Sequence, residues 1–251
     1  MKMTKKVFLA GVVLCCTTMI YAQSQSVQKK SSGSNKETYV ENEYLNDIDT
    51  EIIMGLAEAD DLDNKLVALQ YIQEAINEGN TSPGVIQALD ALAGEGVLSE
   101  SRTNGRKMNN FPEVRRQACL LMAKVPTEHT KNKLIDILLA DDEPMVLAAA
   151  TQSLGNISPE NAEEVIDAIS FMNKRNMVLN PTSSLAYEVI DAYEKLAPLA
   201  NNRKKMINSL TEISSNYRYS TPVRNKALAL LKTLSNGGSG SSKKSSSVDA
   251  K

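Results

Sequence analysis

The stretch LLADDEPMVLAAATQSLG, residues 138–155, decides how the rest of the chain is read. An apolar run ending at Leu138 and Leu139 gives way to Asp141, Asp142, Glu143 and Pro144, and a second apolar run starts at Val146 with Ala148, Ala149 and Ala150 in succession. Carboxylates suit the start of that second segment, where orphan N–H groups and the helix dipole favour negative charge. Pro144 suits a first helical turn, where a missing N–H costs nothing. The alanines give the second helix a thin face on which a neighbour can close, so the unit is helix, acidic turn, helix.

Working outward, helical periodicity runs through the chain with no convincing alternating strand pattern. Ten helices are expected, near 48–59, 63–79, 82–94, 111–125, 128–140, 143–156, 158–174, 181–197, 201–216 and 221–234, and the fold class is all-α. They fall into pairs whose second members repeat a pattern: an anchor, alanine four residues later, and a large apolar residue four after that. The copies are Val114, Ala118, Met122; Val146, Ala150, Leu154; Thr182, Ala186, Ile190; Val223, Ala227, Leu231; and a fainter Asn64, Ala68, Ile72. Pro112, Pro144, Pro181 and Pro222 stand one or two residues before four of the anchors. Anchors 32, 36 and 41 residues apart from Val114 onward, and 50 for the first step, match the spacing of stacked helical hairpins. One hairpin buries too little apolar surface to offset the entropy of ordering it, whereas a stack shares buried faces.

The copy at 134–155 resembles the HEAT repeat of the armadillo-like α-solenoids: apolar pairs (Leu134, Ile135, Leu138, Leu139), an acidic turn, Pro144, Val146, Ala150 and a closing Leu154-Gly155. The resemblance covers roughly residues 46–235. It implies a right-handed α-solenoid of about five hairpins whose concave side binds segments of other proteins. After the anchor, where the family carries arginine or lysine, the chain has Lys65, Arg115 and Arg224 but departs at Leu147 and Ser183. HEAT-like pigment lyases supply an enzymatic analogy that rests on the family and not on these residues.

Outside 46–235 the chain reads differently. Residues 1–22 join Lys2, Lys5 and Lys6 to an apolar run from Val7 to Ile20 and end on Ala22, the form of a cleaved secretory signal, with an uncleaved anchor as the alternative. Residues 23–45 form a polar leader and residues 236–251 a Gly/Ser/Lys tail, both expected to be disordered. Cleavage would leave Cys119 as the sole cysteine, read as a small buried hydrophobe. The 28 basic and 30 acidic residues then become 25 and 30, a net charge near −5 that argues against nucleic acid as a partner. The compartment expected is the periplasm or cell envelope, with membrane contact only through the signal segment if uncleaved.

No constellation points to catalysis, a cofactor or a metal. His129 is the lone histidine and reads as solvated surface. Asp60/Asp61 and Asp141/Asp142 read as helix caps rather than acid–base pairs, and Glu163 and Glu164 as first-turn acids. Tyr187 and Tyr193 read as packed. Two long turns, 94–110 and 174–180, are expected on one edge of the stack, where Arg102, Arg106, Lys107, Lys174 and Arg175 would form a basic ridge. The second candidate surface is the inner face of the anchor-bearing helices, with Lys65, Arg115, Arg116, Glu188, Arg224 and Lys226 as its polar positions. The function these readings favour is a non-enzymatic scaffold or adaptor for another protein. The alternatives are a regulatory or chaperone-like subunit of an enzyme and a structural piece of an envelope machine.

Overall fold

The computed structural model describes residues 37–157 and 159–237, with side chains from 47 to 235. The expected signal segment and all but the first two residues of the expected tail lie outside the described residues. Two compact units are present, 1–47 and 48–251, and only helical backbone from Glu37 onward is described in the first.

Among the described residues there are ten helices: α1 (Glu37–Glu58), α2 (Leu62–Asn77), α3 (Pro83–Gly94), α4 (Pro112–Met122), α5 (Glu128–Ala140), α6 (Pro144–Asn156), α7 (Ala162–Leu179), α8 (Ser183–Leu196), α9 (Lys204–Ser215) and α10 (Thr221–Gly237). Each expected helix is present. Their starts follow local chemistry. The Asp61 carboxylate accepts the Asn64 N–H at 2.8 Å and the Thr127 hydroxyl accepts the Thr130 N–H at 3.1 Å. Pro83, Pro112 and Pro144 are first helical residues. Pro181 departs from that pattern: it precedes the cap residue Thr182 and lies outside α8.

Three expectations are corrected. Helix α1 begins at Glu37, inside the stretch read as leader, where Glu and Leu favour helix. Residues 174–180 are not a long turn, because α7 continues through them to Leu179. The polar run misleads because its side chains find partners in the helical state: the Asn176 amide donates to the Met172 carbonyl at 3.2 Å, and Arg175 donates to two carbonyls of α5 and the turn after it. The third correction concerns residues 94–110, which contain a hairpin. Strands β1 (Arg102–Thr103) and β2 (Arg106–Lys107) pair antiparallel across Asn104 and Gly105, whose φ values of 51° and 77° suit the tight primed turn that Asn-Gly favours.

In the second unit, even-numbered helices pack against even-numbered ones in chain order (α2 on α4, α4 on α6, α6 on α8, α8 on α10), and odd-numbered ones likewise from α3 to α9. The core lies between the two rows. The repeated alanines Ala68, Ala118, Ala150, Ala186 and Ala227 are all buried, as the anchor pattern requires. The backbones of α6 and α8 approach closely at Gly155, where a Cβ would lie 2.9 Å from the Ala192 Cα. Only glycine lets these two backbones meet.

Candidate functional site

The turns leading from odd to even helices are tied to one another by side chains. Lys65, at the start of α2, donates to the Ala57 carbonyl of α1 at 3.0 Å and pairs at 2.6 Å with Glu95, just past α3. Arg115, at the start of α4, holds Asp141 of the α5–α6 turn with Nε at 2.6 Å and Nη2 at 3.3 Å, while its Nη1 donates to the Asn110 side chain at 2.9 Å and the Glu95 carbonyl at 3.2 Å. Arg175 of α7 donates to the Leu139 and Asp141 carbonyls, both at 2.6 Å. The Ser220 N–H, before α10, donates to the Ser183 hydroxyl at 3.0 Å. Five successive turns therefore share one edge of the second unit.

This ladder removes several residues from the expected binding surfaces. Arg115 is 1% exposed and Lys65 is buried, so neither faces an open groove. Arg115 and Arg224 do not point into a shared one, since Arg115 is spent on Asp141. Burial raises the Glu95 carboxyl above its ordinary range, the nearby Lys65 opposing the shift. Asp141 is chiefly the counter-ion of Arg115, although it also accepts the Glu143 N–H at 2.9 Å as a cap. Arg116 pairs with Glu113 at 2.8 Å, and that guanidinium holds the Glu113 carboxyl down to about 2. Lys226 lies 3.7 Å from the centre of the Tyr187 ring and 3.3 Å from Asp191, which leaves Tyr187 half-exposed rather than packed. Glu188 has its carboxyl raised by burial and then by Asp191. Tyr193 is fully buried, its hydroxyl 3.2 Å from the Ser209 oxygen.

The expected basic ridge is on this edge, with most of its charge already engaged. Arg102 and Lys107 both pair with Glu100 at 2.7 Å, and Lys107 also donates to the Gly96 carbonyl at 2.6 Å. Arg175 closes the end of α5. Arg106 and Lys174 remain exposed.

What the sequence reading missed is apolar. Leu98 and Met108 flank the hairpin, Leu139 and Met145 flank the α5–α6 turn, and Val178 and Leu179 end α7 at 75% and 69% exposed. Tyr217, in the α9–α10 turn, is 86% exposed. The opposite edge, at the even-to-odd turns, shows a single large exposed apolar side chain among the described residues, Leu199. The signal was available: each of these residues adjoins a turn, off the buried stripe of its helix. An exposed apolar strip rimmed by polar groups marks a contact surface.

The other candidates stay bland. His129 is exposed and meets the Asp90 carboxylate at 2.5 Å. Cys119 is buried, as expected, and burial pushes its thiol up to about 12. The clefts among the described residues include one of about 490 Å³ between Glu194, Arg203, Lys226 and Leu234 and another of about 490 Å³ between Thr127, Lys131, Ile157 and Glu160. In the second, the Lys131 ammonium is held by Glu128 at 2.6 Å and Glu164 at 2.5 Å, so its charge is already answered. Among the described residues, no group of three or more His, Cys, Asp or Glu could hold a metal ion, and no helix is long and apolar enough to cross a membrane. Comparison with protein-family models, curated proteins and solved structures gives no match for this chain.

Proposed function

We propose that this protein is an exported, non-enzymatic scaffold or adaptor built as a right-handed HEAT-like α-solenoid, and that it binds another protein of the periplasm or cell envelope along the odd-to-even turn edge. The observation that carries the reading is the asymmetry of exposed apolar side chains, which crowd the edge held together by Lys65, Arg115 and Arg175 and are nearly absent from the opposite one. Buried ion pairs give that edge a fixed backbone, and fixed elements lose little entropy on binding. Arg106 and Lys174 supply a positive rim on a chain that is acidic overall. Row-wise packing of alternate helices supports the solenoid, and the lysine-led apolar run of residues 1–22 supports export.

The test places a photo-crosslinking residue at Val178 or, separately, at Leu199, in cells making the full chain. The expected result is one discrete protein captured from Val178 and not from Leu199, with capture lost when Leu179→Asp is added. Equal capture from both edges, or capture insensitive to Leu179→Asp, refutes the docking edge. Amino-terminal sequencing of the accumulated protein tests export: a start near Gln23 is expected, and a retained Met1 on protein outside the envelope refutes it.

A further inference from the structure

Counting each even helix from its anchor (Asn64, Val114, Val146, Thr182, Val223) gives every position a direction. Ser153, seventh in α6, donates to the carbonyl of Cys119, fifth in α4, at 2.8 Å. Gly155, ninth in α6, meets Ala192, tenth in α8. Lys226, third in α10, bonds Asp191, ninth in α8, and covers Tyr187, fifth. Fifth and ninth positions therefore look forward to the next even helix, and third, seventh and tenth look back, as Lys124, tenth from the α4 anchor, also does to Asn77 of α2 at 3.0 Å; the exception is Asn156, the last residue of α6, which meets Lys195 of α8 at 2.8 Å. The position after the anchor also looks forward: Lys65 and Arg115 both seize a carboxylate beyond the next odd helix.

Applied to the two end helices, the same rule exposes matching halves of one contact. The forward positions of α10 are Arg224, Leu228 and Lys232. Leu228 is 44% exposed with no later even helix beside it; the fifth residues of α2, α4 and α6 are buried, and that of α8, Tyr187, is half-exposed with Lys226 of α10 over its ring. Arg224 Nε is buried with no hydrogen-bond partner among the described residues. The backward positions of α2 are Val67, Tyr71 and Glu74. Tyr71 is 47% exposed, whereas the seventh residues of the four later helices are buried. Ahead of them, in the α1–α2 turn, Asp60 is exposed. The charges are opposite too, since α10 carries Arg224, Lys226 and Lys232 with no acid, and the exposed charges of α2 are Asp63 and Glu74.

We propose that copies of this chain associate end to end, α10 of one copy lying beside α2 of the next in the register used inside each chain. Arg224 then reaches Asp60, Leu228 enters between Val67 and Tyr71, and Lys232 meets Glu74. Symmetric pairing of like ends sets basic against basic or acidic against acidic, so the charges select head-to-tail contact. Such a contact does not close on itself and builds open chains.

Sedimentation equilibrium of the full chain at low salt tests this. The expected result is a weight-average mass that rises beyond the dimer with concentration and falls as salt screens the pairs. Lys232→Glu and Glu74→Lys, both exposed and each expected to keep the wild-type helical signal, should separately weaken association at least tenfold. Mixed in equal amounts they should restore it, because each end then meets an opposite charge. A wild type that stays monomeric up to about 1 mM, a millimolar constant being the weak limit of specific association, overturns the proposal. So does growth that stops at the dimer, single variants that associate like wild type, or a mixture that fails to recover.

Discussion

Arg115→Met asks whether the buried ladder holds the fold. Both Arg115 and Asp141 side chains are 1% exposed and joined by two hydrogen bonds, at 2.6 and 3.3 Å. Methionine fills similar volume, so the change removes charge and donors with little cavity. It leaves the Asp141 carboxylate buried with the Glu143 N–H as its remaining donor and takes a donor from the Asn110 side chain and the Glu95 carbonyl. Breaking a buried pair from one side costs about 3–5 kcal/mol, a large part of the roughly 5–15 kcal/mol that holds a domain. Urea unfolding followed by circular dichroism at pH 7 measures it. Adding Asp141→Asn removes the stranded charge, keeps an acceptor for Glu143, and should make the double variant less unstable than the two losses summed by about 1–3 kcal/mol. Arg115→Lys keeps the charge but not the fork that serves Asp141, Asn110 and Glu95 together, and should fall between. A loss below about 0.5 kcal/mol for Arg115→Met, the range of ordinary surface changes, refutes the reasoning.

Gly155→Ala raises helix propensity by about 1 kcal/mol, yet its methyl lies 2.9 Å from a backbone atom of α8, so a net loss is expected, with overpacking costing about 1–3 kcal/mol; a raised melting temperature contradicts it. Glu113→Gln tests pH dependence. Because Arg116 depresses the Glu113 carboxyl from 4.5 to about 2, its stabilisation is present above the unfolded value and fades as pH falls from 4.5 towards 2. The wild-type advantage over Glu113→Gln in urea should shrink across that window, and a constant gap contradicts it. The Cys119 thiol, buried and pushed up to about 12, should react with a thiol reagent only on unfolding; stoichiometric labelling of native protein at pH 8 contradicts it.

Local signals carried the helices well, because a buried stripe repeats every 3.6 residues wherever a helix packs on one side. Val146, Ala150 and Leu154 were legible as an inward face, and all three are buried. Other local signals were present but misread. Asn104-Gly105 marks a hairpin turn, yet two-residue strands give too short an alternation to register. Lys174, Arg175 and Asn176 look like turn residues, yet Arg175 finds its partners outside its own segment and Asn176 a full turn away within it.

The candidate site was less legible for a different reason. A charged residue reads as exposed until its partner is found, and Lys65 and Arg115 find theirs 30 and 26 residues away. The expected basic ridge had the right edge and overstated its charge, since Glu100 answers both Arg102 and Lys107.

Composition and periodicity by themselves determined a mostly helical fold, the pairing of its helices into units and the thin alanine face of each, because these depend on neighbours three or four residues apart. Tertiary structure alone decided which charges are buried, which apolar side chains stay exposed and where two backbones need a glycine. Those outcomes depend on groups brought together across whole helices, and solvation changes only once they meet.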